Sequence, residues 1–121
     1  MPPLAVLLVA ALVSSHEPPA SATALLSAVA SGDVEAARRT LTDDSTIADS
    51  SSGRGAESSL EAFIGSVRGC TPFNLSWENI DEGRGAGSVS WRCPSRQGTQ
   101  VLIWTDPRGV VWIQFGFPAH E

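Results

Sequence analysis

The chain has 121 residues, of which 42% are hydrophobic and 17% charged, and its formal net charge at pH 7 is −5. This length fits one domain, and four Trp and four Phe give it more apolar bulk than disordered chains carry. The acidic balance argues against nucleic-acid binding, which needs a basic surface. Two cysteines are too few for a structural zinc site without histidine. We therefore expect neither a metal ion nor a cofactor.

The first 22 residues have the organisation of a signal peptide. Residues 2–13 are apolar, but they are fewer than the roughly 20 residues that a membrane span needs. After the helix-breaking pair Pro18-Pro19, the segment Ala20-Ser21-Ala22 matches the small-residue pattern of a cleavage site. The alternative, a short buried helix that starts the domain, stays open because no basic residue precedes the apolar run. We expect an exported protein, periplasmic or secreted, whose mature domain covers residues 23–121 without a membrane anchor.

Most histidine-dependent chemistry is excluded by position. Cleavage after Ala22 removes His16 and leaves only His120, one residue from the carboxyl end. Catalytic sites of the Ser-His-Asp or Cys-His kind need an imidazole held by a rigid scaffold, whereas terminal residues are poorly held.

Residues 23–41 are predicted to form two short helices. Leu25 to Val29 provides an apolar face, Gly32 interrupts the pattern, and the carboxylate of Asp33 can cap the second helix. Residues 43–59 are rich in Ser, Gly and Asp and are predicted to form a loop.

A third helix is predicted to follow this loop. Ser58 and Glu61 have the spacing of a capping box, and Gly69 is expected to end the helix. The apolar positions follow the i, i+3, i+4, i+7 pattern of an amphipathic helix. They are Leu60, Phe63, Ile64 and Val67.

From Pro72 onward, apolar and polar residues alternate. The alternation predicts four strands separated by turns at residues 81–87, 94–98 and 106–109. Short turns indicate an antiparallel meander, and helices followed by strands indicate the α+β class.

Two of the predicted strands are apolar on both faces, at residues 101–104 and 110–113. Such strands are usually covered on both sides. A homodimer through the sheet is our preferred explanation, and a monomer with one or two exposed apolar residues is the alternative.

Cys70 and Cys93 are the only cysteines of the chain. In an exported protein, two cysteines are expected to form a disulfide. The bond would tie the end of the third helix to the second strand.

The order of these elements resembles the nuclear-transport-factor-2-like superfamily, and most closely its small bacterial ketosteroid-isomerase-like and SnoaL-like members. The matching features are the Gly32-Asp33 break, the Asp43 to Ile47 run, and the turn from Asp106 to Gly109 before a Val-Val strand. The resemblance covers essentially the whole mature chain. It implies a cystatin-like cone, in which N-terminal helices pack on a curved antiparallel sheet around an apolar pocket.

The resemblance also implies a pocket for a flat apolar ligand, since indole faces suit such molecules. The alternative is that the tryptophans fill the core. Arg92 points away from Trp91, either to solvent or into the pocket. The candidate pocket residues are Trp77, Trp91, Trp104, Trp112, Phe63 and Arg92.

Asp49 matches the position of the general base in ketosteroid-isomerase-like proteins. Base catalysis beside a carbonyl also needs a neutral donor for the developing enolate, and the chain contains no Tyr. Leu25 stands where the family places that Tyr, and Val101 or Ile103 where an acidic donor would lie. We therefore expect a non-catalytic protein that binds a small apolar ligand or a protein partner. The alternative is an isomerase or hydrolase with Asp49 as its base.

Overall fold

A computed structural model describes residues 17–51 and 56–118 of the chain. The helices and strands form one α+β domain. In chain order they are α1 (Ala20–Ser31), α2 (Val34–Arg38), β1 (Leu41–Asp49), β2 (Ala56–Glu57), α3 (Leu60–Ser66), β3 (Thr71–Asp81), β4 (Arg84–Arg92), β5 (Thr99–Asp106) and β6 (Gly109–Pro118). Within the described ranges, no helix is long and apolar enough to cross a membrane. Most of the predicted signal peptide, His16 and His120 lie outside the described residues.

All six strands form one sheet in the order β2-β1-β6-β5-β4-β3. The predicted meander is confirmed, because β3 to β6 are antiparallel neighbours in sequence order. The sheet is larger than the meander, however. β1 pairs in parallel with β6, and β2 adds a short antiparallel edge.

The prediction of a loop over residues 43–59 was wrong for residues 43–49, which belong to β1, and for the two residues of β2. Ile47 of β1 lies opposite Ile113 of β6, and its side chain packs against the core. Asp43 and Asp44 of this strand are exposed, and its other polar residues are partly buried. These polar residues give the segment the composition of a loop.

The break between the first two helices is confirmed. Gly32 has a positive φ of 72°, and the N–H groups of Gly32 and Asp33 donate to the last carbonyls of α1. The carboxylate of Asp33 accepts a hydrogen bond of 3.0 Å from the N–H of Ala36. The helical region is shifted toward the N-terminus, however, because α1 begins at Ala20 and the chain is already a strand at Leu41.

Two further boundaries differ from the prediction. The cap of α3 is Ser59 rather than Ser58, and its Oγ accepts from the N–H of Ala62 at 3.1 Å. The turn predicted over residues 81–87 is confined to Glu82 and Gly83, because β4 begins at Arg84.

The core lies between the helices and the inner face of the sheet. Large side chains from both layers are almost fully buried there, and the rings of Phe63 and Phe115 lie 5.5 Å apart. The largest of the buried side chains are Trp91, Phe63, Leu25, Leu60, Ile64, Ile103 and Ile113.

The predicted Cys70–Cys93 disulfide is confirmed and closes a loop of 23 residues. It joins the segment after α3 to the end of β4. The guanidinium of Arg96 reinforces this junction, because it donates to the carbonyls of Ser66 at 3.0 Å and Arg68 at 2.9 Å. The same group lies 3.3 Å from the sulfur of Cys70.

Candidate binding surface

The structure divides the six predicted pocket residues among three places. Trp91 and Trp77 lie on the inner face, 1% and 6% exposed, together with Phe63 in the core. Trp104 and Trp112 lie on the outer face and are 36% and 37% exposed. Successive residues of a strand point to opposite faces, and this alternation separates the two pairs.

Arg92 belongs to neither group. Its guanidinium carbon lies 4.4 Å above the centre of the Phe73 ring, a cation–π contact at the edge strand β3. The side chain is exposed. It therefore points to the solvent side, which the sequence left undecided.

Trp104 and Trp112 form a directly paired corner on the outer face. They lie opposite each other on β5 and β6, with ring centres 6.3 Å apart and ring planes at 84°. Nε1–H of Trp112 donates to Oε1 of Gln114 at 3.3 Å. The amide of Gln114 in turn donates to Oγ of Ser50 at 2.9 Å. This relay fixes the orientation of the Trp112 ring.

Trp104 lines three clefts, of which one, with a volume of about 430 Å³, lies toward Ser76 and Leu102, and the other two also border Val111. The first of these two, which we call the Trp corner cleft, has a volume of about 510 Å³. The second has a volume of about 410 Å³ and lies toward Ile80, Arg84 and Arg108. The residues that line the Trp corner cleft are Asp44, Thr46, Trp104, Val111, Trp112 and Gln114.

Among the described residues, Asp44 is the one charged side chain that lines the Trp corner cleft. The hydroxyl of Thr42 donates to its Oδ1 at 2.8 Å, and Nη1 of Arg108 lies 3.3 Å from the same oxygen. The Thr42 hydrogen bond, the backbone N–H of Asp44 and the charge of Arg108, in that order, hold the pKa of this carboxyl below its ordinary value. Asp44 is therefore ionised at neutral pH.

Arg108 is also bound by a second carboxylate. Its Nε and Nη2 both donate to Oδ2 of Asp106, at 3.0 and 2.7 Å. The hydrogen bond from Arg108 lowers the pKa of Asp106. Asp44, Asp106 and Arg108 thus form a group with two negative charges and one positive charge.

Asp49 lies at the end of β1, opposite Phe115 of β6. Its Oδ1 accepts a hydrogen bond of 2.8 Å from the backbone N–H of Ser51. Gly116 lies beside this oxygen, where a Cβ would come within 2.6 Å. The carboxylate stabilises the turn after β1, and Asp49 does not line the Trp corner cleft.

Sequence reasoning missed Asp44 and Gln114 as parts of this surface. Gln114 could have been found, since it stands two residues after Trp112 on the same strand face. Asp44 could not, because it belongs to the segment that was predicted to be a loop.

No family model and no curated protein matches this sequence. Solved structures with the same fold include the three that follow. An NTF-2-like protein from Burkholderia xenovorans LB400 is 17% identical, with a TM-score of 0.55 over 84% of each chain. The orange carotenoid protein of Anabaena (Nostoc) sp. PCC 7120, solved with canthaxanthin, is 10% identical and has a TM-score of 0.61. That match covers 86% of this chain and 37% of the carotenoid protein.

The third structure is a protein with a ketosteroid-isomerase-like fold from Catenulispora acidiphila DSM 44928, solved in complex with trimethylamine. It is 13% identical, with a TM-score of 0.55 over 84% of this chain and 88% of that one. The fold of this chain is therefore the nuclear-transport-factor-2-like, cystatin-type fold that the sequence resembles.

Proposed function

We propose that this chain is an exported, non-catalytic binding domain that holds a small, flat, apolar molecule against Trp104 and Trp112. The observation that carries the proposal is the exposure of both indoles, 36% and 37%, on the outer face of two central strands. The inner faces of the same strands already supply the core through Ile103 and Ile113. The outer indoles are not needed to fill that core, and exposed apolar patches mark interaction sites.

The packing of the inner face supports the outer location. The resemblance implied a pocket between helices and sheet, but Phe63 and Trp91 occupy that layer at 0% and 1% exposure. A ligand on the inner face would have to displace side chains from a close-packed core, whereas the outer clefts are open to solvent.

Two proteins of the same fold were solved with small organic molecules, canthaxanthin and trimethylamine. Their ligands support a small organic molecule as the class of ligand here. The Trp corner cleft, with about 510 Å³, lies in the usual range for such sites.

The non-catalytic character is supported by Asp49. Its carboxylate accepts the N–H of Ser51, which assigns it a role in a turn. The chain also contains no Tyr to stabilise an enolate.

The test is calorimetric titration of the oxidised protein with 2-naphthol, a flat and uncharged aromatic probe. We expect binding that weakens at least tenfold in Trp112→Leu. Leu75→Ala is the matched control, because Leu75 is an exposed apolar residue of β3, 48% exposed, that lines none of the three clefts. Equal affinities of the unmodified protein, Trp112→Leu and Leu75→Ala for 2-naphthol would mean that the probe binds elsewhere. That result would contradict the proposal.

A homodimer through the sheet is the second candidate, and the width of the apolar face favours it. The patch extends from the indoles to Leu102 and Val111, and to Ile80, which is 59% exposed. Sedimentation at several protein concentrations distinguishes the candidates. A dimer predicts concentration-dependent association that Trp112→Arg abolishes, whereas a monomer at all concentrations leaves the ligand as the occupant.

Export through a signal peptide of 22 residues is part of the proposal, and the Cys70–Cys93 disulfide supports an oxidising destination. Ala22 is 1% exposed within α1, so cleavage after it must precede folding. Intact mass measurement on protein recovered from an exporting host tests this. A chain that starts at Thr23, two hydrogens lighter than its reduced form, is expected. Retention of Met1 with free thiols would contradict export.

A further inference from the structure

We propose that the ligand of the Trp corner cleft carries a methylated ammonium group, so that the site selects an organic cation. This inference rests on the proposed function, namely that Trp104 and Trp112 form a binding site. It adds one charged group to the otherwise apolar ligand, and it names the chemical class of that group, which the two indoles receive. Three features of the cleft lead to this inference: the angle between the two indole rings, the negative charge of Asp44 and the hydrogen bonds that Gln114 already makes.

The two indoles provide two walls at nearly a right angle. Their planes meet at 84° with the ring centres 6.3 Å apart. The face of an indole attracts a cation through its quadrupole, and Trp is the strongest such partner among the side chains. The hydrogen bond from Trp112 to Gln114 holds one wall in place. A corner of this kind suits a rounded group that contacts both walls.

The charge at the cleft is negative. Asp44 lines it, and both of its side-chain contacts, with Thr42 and Arg108, use Oδ1. Arg108 does not cancel this charge, because Asp106 binds the same guanidinium through two nitrogens. The group of two carboxylates and one guanidinium keeps one net negative charge. The net negative charge of the chain, which removal of residues 1–22 does not abolish, adds attraction for cations at longer range.

The polar groups of the cleft favour a methylated ammonium over a primary one. A primary ammonium is strongly hydrated and needs acceptors when it leaves water. The amide of Gln114 already accepts from Trp112 through its oxygen and donates to Ser50 through its nitrogen, which leaves one lone pair of the oxygen for an ammonium. A methylated ammonium has few or no N–H groups to satisfy. It can place its methyl groups on the indoles and its charge near Asp44.

The experiment compares choline with 3,3-dimethyl-1-butanol, which has the same shape but a carbon atom in place of the charged nitrogen. Calorimetric titration of the oxidised protein is expected to show choline binding at least tenfold tighter. Asp44→Asn should reduce this preference to less than threefold. Asp43→Asn is the matched control, because it removes the same charge one residue away at a position that does not line the cleft. It should keep the preference.

The salt dependence provides a second readout that needs no variant. Choline binding should weaken as sodium chloride is raised from 20 to 300 mM, and binding of the neutral alcohol should not, since only the former is screened. Equal affinities for choline and the alcohol would overturn the inference. Binding of 2-naphthol in that case would leave the proposed function standing, whereas failure of all three probes would overturn both.

Discussion

The indole of Trp77 on β3 lies directly against Gly87 on β4, its partner in the sheet register. A Cβ at Gly87 would overlap the ring and the carbonyl oxygen of Ser76, and a Cβ at Gly85 would come within 2.9 Å of the same indole. These glycines therefore belong to a strand whose inner face leaves room for a large side chain. A glycine-rich sequence next to a turn indicated only a longer turn.

Gly87→Ala is expected to lower the free energy of unfolding by about 1–3 kcal/mol, because the added methyl group forces the Trp77 ring or the strand to move. Chemical denaturation followed by circular dichroism measures the change. Gly65→Ala is the control, since Gly65 lies in α3 with nothing within 4 Å of its Cβ position. It should stabilise the protein by about 0.5–1 kcal/mol. Equal effects of the two substitutions would contradict the packing of Trp77 on Gly87.

The two faces of the sheet predict opposite behaviour for two tryptophans. Trp91→Ala should cost about 3–5 kcal/mol of stability, because it opens a cavity in the core. Trp104→Ala should cost only about 1 kcal/mol, the order of a cross-strand aromatic pair, and should abolish 2-naphthol binding. Denaturation and titration of the same two variants measure both properties. A large stability loss in Trp104→Ala would mean that the outer indole is structural.

Removal of the disulfide by Cys70→Ser together with Cys93→Ser should lower stability by about 3 kcal/mol, as the chain-entropy model gives for a loop of 23 residues. Thermal unfolding should move down by roughly 10–20 °C. An unchanged midpoint of thermal unfolding would show that the hydrogen bonds of Arg96 to Ser66 and Arg68 are sufficient to stabilise the junction between α3 and β4. Arg96→Ala in the disulfide-free protein separates the two contributions.

Substitutions at Asp49 distinguish a turn residue from a base. Asp49→Asn keeps an oxygen that can accept from Ser51 and should change stability by less than about 0.5 kcal/mol. Asp49→Ala loses the acceptor and should cost about 1 kcal/mol. If Asp49 were a catalytic base, Asp49→Asn would abolish turnover of the substrate although stability stayed the same. Loss of an enzymatic activity in Asp49→Asn alone would therefore favour the isomerase or hydrolase alternative.

Choline binding should depend on the charge of Asp44. The pKa of this carboxyl is lowered, first by the Thr42 hydrogen bond, so the charge is present throughout the neutral and weakly acid range. Affinity should be constant from about pH 8 to about pH 5 and fall only in stronger acid, below the ordinary aspartate range. A loss of affinity between pH 8 and pH 6 would point to a different group.

Patterns that depend on local physics were predictable from the sequence. The Gly32-Asp33 break, the apolar face of α3 and the alternation of β4 to β6 each follow from the periodicity of a single segment. The Cys70–Cys93 bond followed from the cysteine count. The helix and strand patterns are specified by residues close together in the chain. The disulfide is specified because each cysteine has only the other as a partner.

Features that depend on distant segments were not predictable in the same way. β1 is a strand because β6, far along the chain, pairs with it in parallel, and its many polar residues hide that role. Asp44 lies on this strand, so it was missed for the same reason. Which tryptophans share a face also depends on strand register, since a shift of one residue moves a side chain to the other face.

The most direct test of the central claim is an NMR titration that observes the four indole N–H signals, assigned by single Trp→Phe substitutions, while 2-naphthol is added. Binding at the outer face predicts that the signals of Trp104 and Trp112 shift in a saturable manner, and that those of Trp77 and Trp91 stay in place. Saturable shifts at Trp91 and Trp77 with none at Trp104 and Trp112 would contradict the account. They would place the ligand between the helices and the sheet.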